Sequence, residues 1–298
     1  IQTGMYYIQD PSNGSGWSAA VKVSYSDNVT LQNINVFAST GAAFNAILSS
    51  HLTLDSCKDI PMPNSTRIFA SNRDGINMNT PVSKYDIGPF ITNCVIQDCG
   101  DDGINIHKNC WYPTTINLDY IPVRVGGVAS NDLIGRAIGQ IGDTIEMLDS
   151  SGTVINTHHP LIINSIVKQS DNVTYFVYLK TPFTTLPSKN NYYTNISSGN
   201  NPALWTTISG NSIIRSRRIG ILMLNTKSNI SNNYSAQNPS SGLYISNLDV
   251  SGGPIKSLSA PCLSNYINNS ISNINNLQTN ANLTTKVPQL IQLQCPIF

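Results

Sequence analysis

Residues 71–79 read SNRDGINMN and residues 91–109 read ITNCVIQDCGDDGINIHKN, so the tetrapeptide Asp-Gly-Ile-Asn recurs at 74–77 and 102–105, an offset of 28 residues. Working outward, Gly41, Gly75, Gly103, Gly220 and Gly242 each stand before a short apolar-alternating run: AAFNAI, INMN, INIH, ILML and LYIS. Upstream of most lies a second run holding Asn: VTLQNINVF, PFITNCVIQD, TTISGNSIIRS and SNISNNYSA. Asn93 precedes Gly103 by 10 residues, Asn211 precedes Gly220 by 9 and Asn232 precedes Gly242 by 10. Short strands at this spacing predict a parallel β-helix, since one coil cannot bury its inward face alone. Stacking coils about 4.8 Å apart pairs the backbone groups and builds a continuous column of Ile, Val and Leu. Asn at a repeated turn position can stack into a ladder of side-chain amides. The competing architecture is an antiparallel sandwich, which needs no Gly-apolar column at coil spacing.

Gly103 and Gly220 are 117 residues apart, far more than one coil. The extra segment contains YIPVRVGGV, IGDTIEMLDSSGTV, LIINSIVKQ and NVTYFVYLKTPF, alternating strands with Gly-Asp, Ser-Gly and Asp-Asn turns. That is a hairpin pattern, predicting a small antiparallel β-barrel or sandwich inserted into the helix. The expected organisation is coils over 1–109, the insert over 110–205, further coils over 206–255 and a capping tail over 256–298. The tail is rich in Asn, Ser and Thr and ends in VPQLIQLQCPIF; a cap there would cover an open sheet edge.

Charged residues make up 11% and the net charge is +1, against about 25% charged in an ordinary domain. No basic excess supplies a nucleic-acid footprint. No apolar run reaches the roughly 20 residues of a membrane-spanning helix. Abundant Asn, Ser, Thr, Ile and Val suit strands and turns. Nine Asn-x-Ser/Thr sequons occur, at Asn13, Asn28, Asn64, Asn172, Asn195, Asn229, Asn233, Asn268 and Asn282. Cys57, Cys94, Cys99, Cys110, Cys262 and Cys295 lack metal-type spacing, which leaves disulfides or buried thiols. Together these features predict a secreted, lysosomal or vacuolar glycoprotein with at least one disulfide. Cys262 with Cys295 is the expected pair, because it ties down the polar tail.

Aligning the glycines puts Asp74 over Asp102, and Asp101 over Arg73 on one side and Arg218 on the other. Carboxylates one coil apart sit about 5 Å from each other at the backbone. Like charges at that range raise one pKa, so one group can hold a proton while its neighbour stays ionised. Glycoside hydrolysis requires this division: one carboxylic acid protonates the leaving oxygen, and a carboxylate activates water or attacks. Asp-Gly is also a common turn dipeptide, so the repeat alone is equally a bend marker. Arg73 and Arg218 are ion-pair partners or sugar-binding groups.

Asn105 and His107 alternate along one strand and share a face, as substrate-binding groups or as ladder members. His158 and His159 are adjacent and point to opposite faces of a strand, which argues against a metal pair. His51 reads as a loop or coil residue. Trp111, Tyr112 and Trp205 flank the insert, as stacking platforms for sugars or as junction packing. No nucleophile elbow, phosphate loop or EF-hand is present.

The stretches NVTLQNINVFAS, SNRDGINMN, ITNCVIQDCGDDGINIHKN and NSIIRSRRIGILMLNTKSNISNNYS resemble the family-110 glycoside hydrolases, the α-1,3-galactosidases. More distantly they resemble the polygalacturonase-like β-helix hydrolases. The likeness spans about residues 20–250. It implies a right-handed parallel β-helix and inverting, metal-independent removal of terminal α-galactose, with no cofactor. The family's acidic cluster matches Asp74, Asp101 and Asp102. The Gly-His-Gly and Arg-Ile-Lys motifs of polygalacturonases are absent; Arg217, Arg218 and Ile219 stand in the corresponding region as candidate substrate-binding positions. Glu146 is a candidate for a further acidic residue near the insert, or an exposed hairpin residue. Ile1 at the first position predicts a chain that is processed, truncated or one fragment of a longer product; set against the family it starts mid-helix, with the N-terminal coils expected from a companion chain, a lost fragment or a homo-oligomer.

The sequence therefore predicts a hydrolase of α-galactosyl or related glycans. Two other expectations stand beside it: a non-catalytic β-helix serving as a coat, wall, fibre or glycan-binding component, and a polysaccharide lyase using a Lys or Arg base near a calcium-binding acid cluster.

Overall fold

The computed structural model describes residues 18–47, 49–79, 88–107, 117–124, 138–149, 155, 159–171, 174–188, 192–195, 206–224, 228–246, 264–267, 270–271 and 274–276. These residues are all-β, with no helix among them. In chain order the strands are β1 (Ala19–Ser24), β2 (Thr30–Gln32), β3 (Asn35–Val36), β4 (Ala42–Ile47), β5 (Thr53–Asp55), β6 (Lys58–Asp59), β7 (Ile76–Asn79), β8 (Phe90–Thr92), β9 (Val95–Gln97) and β10 (Ile104–His107). There follow β11 (Tyr120–Arg124), β12 (Thr144–Leu148), β13 (Leu161–Lys168), β14 (Thr174–Leu179) and β15 (Tyr192–Asn195). The series ends with β16 (Thr206–Ser209), β17 (Ser212–Ile214), β18 (Ile219–Leu224), β19 (Ser228–Ser231), β20 (Tyr234–Ala236), β21 (Ser241–Ser246), β22 (Ser264–Ile267), β23 (Ser270–Ile271) and β24 (Ile274–Asn276).

Three sheets are parallel. Sheet I runs β1-β4-β7-β10-β18-β21-β24, sheet II runs β2-β5-β8-β16-β19-β22, and sheet III pairs β3-β6-β9-β17-β20-β23. The chain visits the three sheets in fixed rotation, one strand in each, and every visit adds a strand beside the previous one. Antiparallel pairing of the repeated strands, as in a sandwich, is absent among the described residues. Among the described strands the rotation breaks once, after β10. The chain there builds a separate antiparallel sheet, ordered β11-β14-β13-β12-β15, before rejoining sheet II at β16. This sheet falls within the expected insert; β11 and β15 at its two ends do not pair with each other, so no pairing closes it into a barrel among the described residues.

Inward residues stack in columns because in-register parallel strands repeat the same side-chain direction. In sheet I one column is Phe44, Ile76, Ile104, Ile221 and Leu243, and sheet II contributes Leu54, Ile91, Ile208 and Ile230; all are buried in one core. The antiparallel sheet has its own core, centred on Tyr175, Val177, Ile121 and Ile163.

The glycine column is set by space. A Cβ on Gly103 would lie 2.5 Å from the Gly220 carbonyl oxygen and 2.4 Å from Ile213 Cγ2, and one on Gly75 would lie 2.7 Å from the Gly103 oxygen. Gly41 is out of this column: Phe44 pairs with Ile76, so Ala43 is level with Gly75 and Gly41 with Arg73.

The amide ladder includes Asn211 as expected, but its next member is Asn233 rather than Asn232, and Cys94 rather than Asn93 stands at that level in the preceding repeat. Asn211 Oδ1 accepts the Cys94 N–H at 2.8 Å, and its Nδ2 donates to the Ile91 carbonyl at 3.0 Å. Asn233 Oδ1 accepts the Asn211 N–H at 3.0 Å, and its Nδ2 donates to Ile208 O at 2.8 Å. Asn93 and Asn232 occupy the preceding position with Gly210, at φ of 55°, 56° and 70°, where the left-handed backbone suits Asn and Gly.

This corrects one sequon. Asn233 is 2% exposed with both ends of its amide engaged, so it is no surface acceptor. Asn28 and Asn64 are exposed, and Asn229 is half-buried. Asn195 closes β15, and its side chain lies outside the described residues, as do Asn13, Asn172, Asn268 and Asn282. Cys57, Cys94 and Cys99 are free and buried. Cys110, Cys262 and Cys295, with the expected disulfide and most of the tail, lie outside the described residues.

Candidate active site

Three successive repeats turn from sheet III into sheet I through a tetrapeptide whose first side chain braces its fourth residue. Ser39 Oγ donates to Ala42 O at 2.7 Å, Ser71 Oγ to Asp74 O at 3.3 Å and Cys99 Sγ to Asp102 O at 3.3 Å. These stacked turns bring Asp74, Asp102 and Ile219 into one column and Arg73, Asp101 and Arg218 into the next. The juxtaposition expected from the Asp-Gly-Ile-Asn repeat is present.

One carboxylate oxygen from each of Asp74, Asp101 and Asp102 lies within 4.8 Å of the other two. Asp74 and Asp102 are each 1% exposed, whereas the Asp101 side chain is 28% exposed. Asp74 Oδ1 accepts the Asp102 N–H at 3.1 Å, and Asp102 Oδ1 accepts the Ile219 N–H at 3.1 Å. Each buried aspartate thus satisfies the backbone of the following repeat. Asn77 Nδ2 donates to Asp74 Oδ2, and Asn105 supplies a further side-chain hydrogen bond to Asp74.

Arg218 edges the cluster. Its Nη1 donates to Asp101 Oδ1 at 3.0 Å and lies 3.8 Å from Asp102 Oδ2. Partial burial works against its charge, and Asp102 and Asp101 more than offset that, so its pKa is raised. Burial pushes Asp102 up to about 7, with the Asp74 charge adding to the rise and Arg218 opposing it. Burial raises Asp74 to about 6 against the pull of the Asn77 hydrogen bond, with Asp101 adding to the rise. Asp102 therefore keeps its proton up to about neutrality while Asp74, about one unit lower, gives its proton up first, which is the asymmetry acid–base chemistry needs. The three carboxylates are also the one acidic group among the described residues close enough to share a cation.

Arg217 is exposed on its turn, its N–H donating to Cys99 O at 3.1 Å. Arg73 and His107 are half-buried; His107 lies two residues beyond Asn105 on β10. Glu146 is on β12 of the antiparallel sheet, opposite Thr194. His51 Nδ1 is 2.7 Å from Asp27 Oδ1, on a turn remote in sequence from the cluster. Trp111, Tyr112, Trp205 and His158 lie outside the described residues.

Sequence reasoning passed over Asn77, Ser71 and Asp59. Asn77 was within the quoted repeat, at the position of Asn105. Ser71 was findable as the residue three before Asp74, as Cys99 is before Asp102. Asp59 is 0% exposed in the inward column Val36–Asp59–Ile96 of sheet III; aligning Cys57 with Cys94 exposes it as a carboxyl where its neighbours carry Val and Ile. Compared with protein-family models and with curated proteins, the chain matches none.

Proposed function

We propose that the three parallel sheets are the faces of a right-handed parallel β-helix carrying a glycoside hydrolase site, acting on α-galactosyl or related glycans through paired carboxylates without a metal. The observation that carries this reading is the convergence of Asp74, Asp101 and Asp102 within 4.8 Å, two buried and one open to solvent beside Arg218. Asp101, the carboxylate that solvent reaches, activates the attacking water. Asp102 holds the proton destined for the leaving oxygen, and Asp74 helps keep that proton in place. Arg218 orients Asp101 and offers its remaining N–H groups to sugar hydroxyls, with Asn105 and His107 on the adjoining strand. The exposed sequons at Asn28 and Asn64 support a secreted, lysosomal or vacuolar location.

The test is release of sugar from a panel of aryl α- and β-glycosides. Asp102→Asn and Asp101→Asn should each lower turnover by about 10²–10⁴-fold, the range for loss of a general acid or base, with an unchanged far-UV circular dichroism spectrum. Wild-type activity should fall as pH rises through about 7, where Asp102 loses its proton. Undiminished turnover in Asp102→Asn rejects the assignment.

A second reading is favoured by one observation: both buried aspartates are engaged as acceptors of the next repeat's N–H groups. On that reading the cluster is a structural brace, and the protein is a glycan-binding, coat or wall component, alone or with a companion chain. No released sugar across the panel, together with a discrete oligomer in sedimentation velocity, selects it. Ultraviolet-absorbing unsaturated products would instead mark a lyase.

A further inference from the structure

We infer that Asp59 is a positioning residue for Asp74: its carboxyl, acting through the Ser71 hydroxyl, decides whether the turn that presents Asp74 is braced. The inference rests on the hydrolase reading of the Asp74 cluster and adds a member that touches none of the reacting atoms.

The geometry is a competition for one hydrogen. Ser71 Oγ lies 2.6 Å from Asp59 Oδ2, 3.1 Å from Arg73 O and 3.3 Å from Asp74 O. A serine hydroxyl has a single hydrogen to donate. When Asp59 is ionised, the carboxylate takes that hydrogen, as the strongest acceptor in reach. The carbonyls of Arg73 and Asp74 then lose their donor. When Asp59 is neutral, its own O–H donates to Ser71 Oγ, and the serine hydrogen is free to brace the turn. The stacked turns show what the brace looks like without a competitor. Ser39 holds Ala42 O at 2.7 Å, and the residue at the level of Asp59 in that repeat is Val36. Cys99 holds Asp102 O, and the corresponding residue is Ile96. Among the described turns, only that of Ser71 shares the brace with an acid, and there the oxygen-to-oxygen distance is longer than in the Ser39 turn.

The other half of the Asp59 carboxyl points the same way. Oδ1 is buried with no hydrogen-bond partner, and no Lys or Arg among the described residues pairs with this carboxyl. A lone buried oxygen costs far less on a neutral acid than on a carboxylate. Burial accordingly raises Asp59 to about 7 against the pull of the Ser71 bond. The titratable groups around it are the Cys99 thiol on the adjoining turn, itself raised chiefly by burial and also by the Asp59 charge, and Asp74 beyond Ser71. Lys58 on the same strand is exposed and on the opposite face.

A carboxyl-carbon NMR titration of the full chain, with ¹³Cγ-labelled aspartate, tests this without a substrate, so sugar release in the preceding assay stands or falls separately. In the wild type, the Asp74 resonance should show two inflections, its own and a second near the Asp59 value of about 7. In Asp59→Asn, whose amide donates to Ser71 at every pH, the second inflection should vanish. In Ser71→Ala, Asp59 should still titrate while the second inflection at Asp74 disappears. A second inflection that persists in Ser71→Ala means direct charge–charge coupling and overturns the relay. Its absence from the wild type does the same, and the Ser71→Ala comparison decides the matter even if Asp59→Asn does not fold.

Discussion

At the scale of single residues, burial decides the behaviour of the acids. Asp59, Asp74 and Asp102 are 0%, 1% and 1% exposed, and burial is the largest cause of the rise in each. A group whose folded pKa lies above its unfolded value holds its proton better in the fold, so its contribution to stability is present in acid and is lost as pH rises through the folded pKa. For Asp59 the window runs from the unfolded value of 3.8 to about 7. Full loss amounts to something on the order of 4 kcal/mol, at about 1.4 kcal/mol per pH unit. Asp59→Asn carries no such proton. In urea unfolding it should match the wild type near pH 4 and exceed it by a few kcal/mol near pH 8, whereas a constant difference at both pH values would show that Asp59 is not titrating in this window. Asp74 and Asp102 have the same sign, so the whole protein should be less stable above neutrality than at pH 5.

At the scale of elements, the repeat is held by turn columns as much as by strands. Asn211 satisfies the Cys94 N–H and the Ile91 carbonyl of the preceding repeat. Asn211→Ala strands buried polar groups and should cost about 2–3 kcal/mol in chemical denaturation. Asn232→Gly, at an exposed left-handed position where the adjoining repeat already has Gly210, should stay within about 0.5 kcal/mol of wild type. Equal costs would return Asn232 to the ladder. Gly103→Ala should destabilise by about 1–3 kcal/mol or more, because its methyl meets the Gly220 carbonyl.

These contrasts mark what the sequence made legible. The twofold Asp-Gly-Ile-Asn fixed the register of β7 and β10, and with it the meeting of Asp74, Asp101 and Asp102. The interval between Gly103 and Gly220 located the antiparallel sheet. Neighbouring Asn residues at 232 and 233 look alike in a string of letters, yet one turns inward to the ladder and the other takes the left-handed backbone. Gly41 failed as a column marker because Ala43 occupies the level where Gly was expected. Asp59 was hidden because Lys-Asp in a two-residue strand reads as surface, and only the stacking of Val36, Asp59 and Ile96 shows that it faces the core.

At the scale of the whole molecule, three parallel sheets provide a frame on which residues distant in sequence meet. Asp74 and Arg218 come from repeats separated by the antiparallel sheet, yet border the same cluster. Low charge elsewhere, 11% of residues, makes this concentration of carboxylates beside Arg218 a local feature of one turn stack. The most direct measurement is proton NMR of an oligosaccharide ending in α-linked galactose, incubated with wild-type protein and with a correctly folded Asp102→Asn variant. On the hydrolase proposal, free galactose accumulates with the wild type and not with the variant. Galactose that stays bound in both samples, or appears equally in both, contradicts it.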